Sequence, residues 1–195
     1  QTLSFFLNTC PTIDIHFNMY FKPPTQKTDM KGDDKKIIEG MKKTYRLLFA
    51  YAEKTGISPL AKYKDLIYGI DWFAPKTYAC NAGTEESIVV MHDGTVRACP
   101  AVPKTIGTVK NKHFLEEIQT NPGARLNATP VSEIEDCDTC LWKHMCGGGC
   151  QAERINQDHK KPKKSRYCHI YKALIPYILH LEGKRLMKEY FKKMR

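Results

Sequence analysis

No stretch of the chain approaches the roughly 20 consecutive apolar residues that a bilayer-spanning helix needs, and no membrane partner is expected. The opening Gln1–Leu7 has no basic n-region, which argues against a secretory signal peptide. No internal repeat is visible, and the first residue is Gln rather than Met. The expectation from that start is a processed product or a piece of something longer. Without a secretion signal the expected setting is cytoplasmic and reducing. The eight cysteines then point to metal binding or chemistry rather than to disulfides.

The rest of the composition is that of a folded protein. Of 195 residues, 42% are hydrophobic and 27% charged, enough for one domain with a core or for two small ones. The 31 Lys and Arg exceed the 21 Asp and Glu by 10. Such an excess attracts anionic partners of any kind, or simply solvates a surface.

The periodicities predict an α+β chain. Ile13–Tyr20 alternates apolar and polar residues between Pro11 and Pro23-Pro24, the pattern of a half-buried strand. Leu3–Leu7 reads as the end of an apolar helix or strand. Asp33–Lys54 reads as a helix, with Ile37, Ile38, Met41, Tyr45, Leu48 and Ala52 on one stripe, acidic residues at its start and Gly56 as its stop. A shorter helix is expected around Leu60–Ile70. Ser87–Met91 and Thr95–Cys99 flank His92-Asp93-Gly94, a hairpin signal. His113–Gln119 reads as a brief amphipathic helix. Ile170–Arg195 reads as a helix with Ile170, Leu174, Tyr177, Ile178 and Leu181 on one stripe, kinked or restarted at Pro176 and broken again at Gly183. From Asn121 to Cys168 the chain is rich in Cys, Gly and polar residues, too poor in apolar periodicity to build much core.

Seven cysteines give that segment its character. Cys80 is followed by thirteen residues, Gly94, four residues and Cys99. Then come Cys137-x₂-Cys140-x₅-Cys146-x₃-Cys150, and Cys168 alone. A cubane binds four thiolates, one at each corner. Cys137-x-x-Cys140 puts two sulfurs on neighbouring irons, and Gly147-Gly148-Gly149 allows the backbone to come close where side chains would collide. On the Cys137–Cys168 segment alone, a tetrahedral zinc site remains open.

The full pattern resembles the SPASM domain of radical S-adenosylmethionine (radical SAM) enzymes, the C-terminal part of sulfatase maturases and many peptide-modifying enzymes. Ala82-Gly83, Cys146-Gly147-Gly148-Gly149-Cys150 and Tyr167-Cys168 are also similar to that family. The resemblance implies that Cys80, Cys99 and Cys150 hold a first auxiliary 4Fe–4S cluster, and that Cys137, Cys140, Cys146 and Cys168 hold a second. It implies residues 1–24 as the end of a radical SAM barrel, 25–77 as a helical linker, 78–171 as the cluster domain and 172–195 as a C-terminal helix. The fourth ligand of the first cluster is open; Cys10 is the spare thiol, and it also reads as a small buried residue.

Radical generation in that family needs a Cys-x₃-Cys-x₂-Cys loop that binds S-adenosylmethionine, and these residues contain none. The cofactor is expected only through a barrel upstream or in a partner chain, and this chain alone is not expected to be active. Sulfatase maturases tend to carry an Asp beside the cysteine equivalent to Cys99. Pro100 stands there, which favours another peptide or protein substrate, for which an acidic character would suit the basic chain. Other readings are a stand-alone electron-transfer protein, a metal-binding scaffold without redox role, or a zinc module that binds nucleic acid. For the last, Tyr63 between Lys62 and Lys64, and the run His159–Lys164, fall short of an interleaved basic and aromatic face, and nucleic acid is not expected. His144 and His169 lie beside cluster cysteines as neighbours rather than ligands.

Overall fold

A computed structural model describes residues 2–10, 33–56, 75–80, 82, 84, 87–125, 129–150 and 163–194. The expected strand at Ile13–Tyr20 and helix around Leu60–Ile70 lie outside the described residues, as do Tyr63 and most of His159–Lys164. The chain divides into two compact units. One comprises Gln1–Met19, Met30–Pro75 and His169–Arg195; the other comprises Tyr20–Asp29 and Lys76–Cys168.

The first unit is helical: α1 (Thr2–Thr9), α2 (Asp34–Thr55) and most of a long C-terminal helix. The reading of α2 holds to its ends. Asp33 caps it, its Oδ1 accepting from the N–H groups of Lys35 and Lys36 at 3.1 and 3.3 Å. Gly56 closes it at φ 73°, donating to the Ala52 carbonyl. Tyr45, Leu48 and Ala52 of the predicted stripe are buried, and Phe49 is buried beside them. Leu3–Leu7 resolves as helix, with Leu3 and Leu7 buried.

The C-terminal helix, Cys168–Lys193, runs unbroken through Pro176 and Gly183. This corrects the expected restart and break. Pro176 and the Gly183 backbone both lie on the exposed side, so the carbonyl that Pro176 leaves without an N–H can be met by water, and the helical turns on either side carry Gly183. Ile170, Leu174, Ile175 and Ile178 are buried. This helix and α2 run parallel. His169 Nε2 meets Asp34 Oδ2 at 2.9 Å, Lys42 Nζ stands 5.7 Å above the Tyr177 ring, and Lys188 Nζ meets Glu53 Oε1 at 2.9 Å. The offset in residue number is the same at all three, which fixes the register although each exposed pair contributes little energy.

The second unit holds a three-stranded antiparallel sheet in the order β1 (Val89–Val90), β2 (Thr95–Arg97), β3 (Thr105–Thr108). The hairpin is where the Asp-Gly signal put it, with Val89 opposite Arg97. Asp93 Oδ1 accepts from Thr95 N–H and Thr95 Oγ1–H, which holds its carboxyl below the ordinary range. The third strand was not read from the sequence. It pairs with β2 across a bulge between Val96 and Arg97, and the Gly94 carbonyl accepts from Val109 N–H at 3.0 Å. α3 (Phe114–Thr120) covers the sheet, and Val96, Ala98, Ile106, Ile118 and Ala124 form one core with Phe114 against it. Helix and small antiparallel sheet together make the α+β class expected. Among the described residues no helix is long and apolar enough to cross a membrane.

Candidate cluster-binding site

All seven patterned cysteines fall in the second unit, whereas Cys10 falls in the first, where its N–H ends α1 on the Phe6 carbonyl.

The segment Cys137–Cys150 is a run of tight turns. The N–H of Cys137 donates to Ile134 O, that of Cys140 to Cys137 O and that of Lys143 to Cys140 O, at 2.9, 3.0 and 3.2 Å. A single helical turn, α4 (Lys143–Cys146), follows and ends on Gly147 at φ 62°. Gly148 and Gly149 continue at φ 81° and 85°, backbone that L side chains rarely adopt. Beneath lies a small core of Val131, Ile134 and Cys137, more than the polar composition promised.

Two distant pieces of chain are tied to this loop. Residues 76–79 are stitched between it and Val131: Lys76 N–H donates to His144 O at 2.7 Å, and Val131 N–H donates to Thr77 O at 2.8 Å. The His144 Nδ1 also lies 3.3 Å from Lys76 O. A Cβ on Gly147 would stand 2.7 Å from both Ala79 Cα and Tyr78 O. The backbone that leads into Cys80 therefore lies directly against the glycine loop.

The second piece is Lys163–Cys168. Ser165, 2% exposed, donates its N–H to Gly148 O at 3.1 Å, and its carbonyl accepts from Cys168 N–H at 3.0 Å. Lys164 pairs with Asp136 at 3.0 Å, which raises the lysine's pKa, and Asp136 sits at φ 67° beside Cys137. His169, the other histidine singled out, belongs to the first unit, on Asp34.

These ties set cysteines against one another electrostatically. Burial pushes the Cys146 thiol up, the Gly148 N–H opposes that, and Cys140 and Cys168 add to the rise. Cys137 and Cys168 both bear on Lys164. A Cβ on Gly148 would stand 3.9 Å from Cys137 Sγ, and backbone bonds tie Cys146 and, through Ser165, Cys168 to the same glycine loop; Cys137, Cys140, Cys146 and Cys168 are buried or half-buried. Cys80 and Cys150 are exposed and Cys99 is half-buried, with its carbonyl accepting from Val102 N–H. Among the described residues no three His, Cys, Asp or Glu side chains converge to hold one metal ion. The all-thiol donor set and the glycine cradle fit an iron–sulfur cluster bound by thiolates.

The Ser165 turn and the 76–79 segment escaped the sequence reading. The Ser-x-Tyr order before Cys168 was the available signal for the first, since Ser165 Oγ accepts from Tyr167 N–H. Nothing local marks the second.

No family model matches the chain. It is 27% identical over 92 residues to the "Cysteine-type anaerobic sulfatase-maturating enzyme" of Clostridium perfringens (strain 13 / Type A), a stretch of 46% of this chain and 25% of that enzyme. It is 39% identical over 44 residues to an uncharacterized protein of Archaeoglobus fulgidus, 23% of this chain and 11% of that one. The solved structure titled "Native anSMEcpe with bound AdoMet and Kp18Cys peptide" superposes with a TM-score of 0.62 at 18% identity, covering 82% of this chain and 45% of that one. The chain is similar over part of its length to a sulfatase-maturating enzyme. It spans about a quarter of the curated relative's length and shares its fold with the solved structure.

Proposed function

We propose that the second unit is a SPASM-type auxiliary domain holding two 4Fe–4S clusters, and that it serves a radical SAM enzyme which modifies a peptide or protein. The observation that supports this reading is the glycine loop Gly147–Gly149, against which Cys137 Sγ, the turn into Cys168 through Ser165 and the backbone leading into Cys80 are held. The relationship to a sulfatase-maturating enzyme supports the enzyme class, and the solved structure with a similar fold was determined with AdoMet and a peptide. Clusters of this kind accept and donate single electrons when bound.

The chain's own residues then have definable tasks. Cys137, Cys140, Cys146 and Cys168 would hold the second cluster, with Ser165 fixing the approach of Cys168. Cys80, Cys99 and Cys150 would hold the first, carried by the 76–79 segment, the end of β2 and the glycine loop. Burial pushes the Cys146 thiol up, and each thiol that binds a cluster must release its proton. Electron transfer and substrate engagement fall to this cluster domain, and any S-adenosylmethionine chemistry belongs to a barrel in the same longer chain or a partner.

Anaerobic reconstitution followed by iron and acid-labile sulfide analysis tests the reading. Two cubanes give about eight irons and eight sulfides per chain. One or two zinc ions with no sulfide would defeat it in favour of a zinc module.

A further inference from the structure

Two short pieces of the cysteine unit run side by side, and each turns directly into a patterned cysteine. Glu135 and Lys163 pair across them as a parallel bridge. On the first piece the chain turns through Asp136 into Cys137, whose N–H closes on Ile134 O at 2.9 Å. On the second, Lys164 leads into Ser165, and the next turn closes with Cys168 N–H on Ser165 O at 3.0 Å. One step beyond the bridge, Lys164 and Asp136 form an ion pair at 3.0 Å. Both pieces meet the glycine loop: Ser165 N–H donates to Gly148 O, and a Cβ on Gly148 would stand 3.9 Å from Cys137 Sγ. The ion pair is therefore one residue from Cys137 and one residue from the serine that holds the Cys168 turn.

Stability does not account for the pair. Its side chains are 46% and 60% exposed, and an ion pair in that setting contributes little. Asp136 also sits at φ 67°, and among the described residues it is the non-glycine with positive φ. Glycine or asparagine would meet that backbone at no greater cost, so what the aspartate adds there is its charge. Charge at this place acts on whatever Cys137 and Cys168 bind. Four thiolates on a cubane make an anionic group, and an added electron makes it more so, so that nearby charge shifts its potential. A cation favours the electron-rich state and an anion opposes it.

We propose that Lys164 and Asp136 are opposed charge-tuning residues for the second cluster, the lysine raising its reduction potential and the aspartate lowering it. The proposal rests on the cluster reading and deepens it, by assigning the residues that set the potential of the Cys137, Cys140, Cys146 and Cys168 site.

The test is an EPR-monitored redox titration of the full chain, reconstituted anaerobically, at one neutral pH and low salt. Lys164→Gln should lower one of the two midpoints. Asp136→Asn, which keeps a side chain suited to positive φ, should raise the same one. Each change should be about threefold in the reduction equilibrium, ~30 mV for one electron. Lys164→Gln/Asp136→Asn should lie near the wild type, and added salt should shrink the single-variant shifts. The other midpoint should stay, and the moving signal should be the one lost in Cys140→Ala/Cys146→Ala/Cys168→Ala. A purely structural staple would move both single variants the same way or strip iron from both. Either result, or equal shifts of both clusters, would overturn the proposal. Iron and sulfide, counted on the same samples, separate the two readings. A wild-type chain without them overturns the cluster reading and this proposal with it; full loading with unmoved midpoints overturns this proposal alone.

Discussion

Replacing Gly147 by Ala should damage the cysteine unit more than the same change at any other described loop glycine with room for it. At φ 62° an L residue costs ~1–2 kcal/mol through its own Cβ and carbonyl. The new methyl would also stand 2.7 Å from Ala79 Cα and Tyr78 O and 2.9 Å from Ala79 N. All three are backbone atoms, so relief requires moving the strand of chain that leads into Cys80; overpacking of this kind costs a further ~1–3 kcal/mol. The sum is about 2–5 kcal/mol. Gly94→Ala is the control. Its φ of 86° brings the same conformational cost, but its Cβ would meet the Val109 and Lys110 side chains at 3.3 and 3.4 Å, which can shift, leaving ~1–2 kcal/mol. Thermal unfolding of the anaerobically reconstituted chain, followed by circular dichroism and iron release, reads the difference. At ~4–8 °C per kcal/mol for a unit of this size, Gly147→Ala should unfold at least about 8 °C below the wild type and at least about 4 °C below Gly94→Ala, and shed iron first. Equal shifts for the two variants would refute the close approach of residues 78–79 to the glycine loop.

Other positions test the supports around that loop. Ile134, fully buried under the cysteine turns, should cost ~2–5 kcal/mol as Ala, read as a lower midpoint in denaturant. Asp33→Ala should remove the α2 cap and cost ~0.5–2 kcal/mol, seen as faster amide exchange at Lys35 and Lys36. The hairpin should loosen in acid. Asp93 has its carboxyl pKa lowered in the fold, so its contribution is present above the unfolded value near 3.8 and is lost as pH falls through the lower folded value. Protection of the Thr95 amide, its exchange rate relative to the unstructured rate at the same pH, should fall below that pH, and Asp93→Asn should abolish this change in protection.

The parts legible in the sequence were those whose signals are local. α2 carries its own caps in Asp33 and Gly56, and the β1–β2 turn carries Asp93-Gly94. β3 was hidden because Thr105-Ile106-Gly107-Thr108 has one large apolar residue, and its pairing depends on β2. Gly107 there serves contact, since a Cβ would press within 3.2 Å of Ile118. Gly183 misled because a helix stop was read from residue type alone; with nothing within 4 Å of it, its cost is absorbed by the flanking turns. The candidate site was legible as spacing, and its glycines announced backbone freedom. Its geometry was not, because Ser165, Asp136 and residues 76–79 act through partners far away in sequence.

The central claim is that two separate thiolate sets hold two cubanes. Iron and sulfide per chain, measured after anaerobic reconstitution, should fall from about eight to about four when Cys140, Cys146 and Cys168 are replaced by Ala. A fall of about four is also expected when Cys80, Cys99 and Cys150 are replaced instead. Loss of all iron from one set of replacements with none from the other, or zinc without sulfide in the wild-type chain, would contradict it.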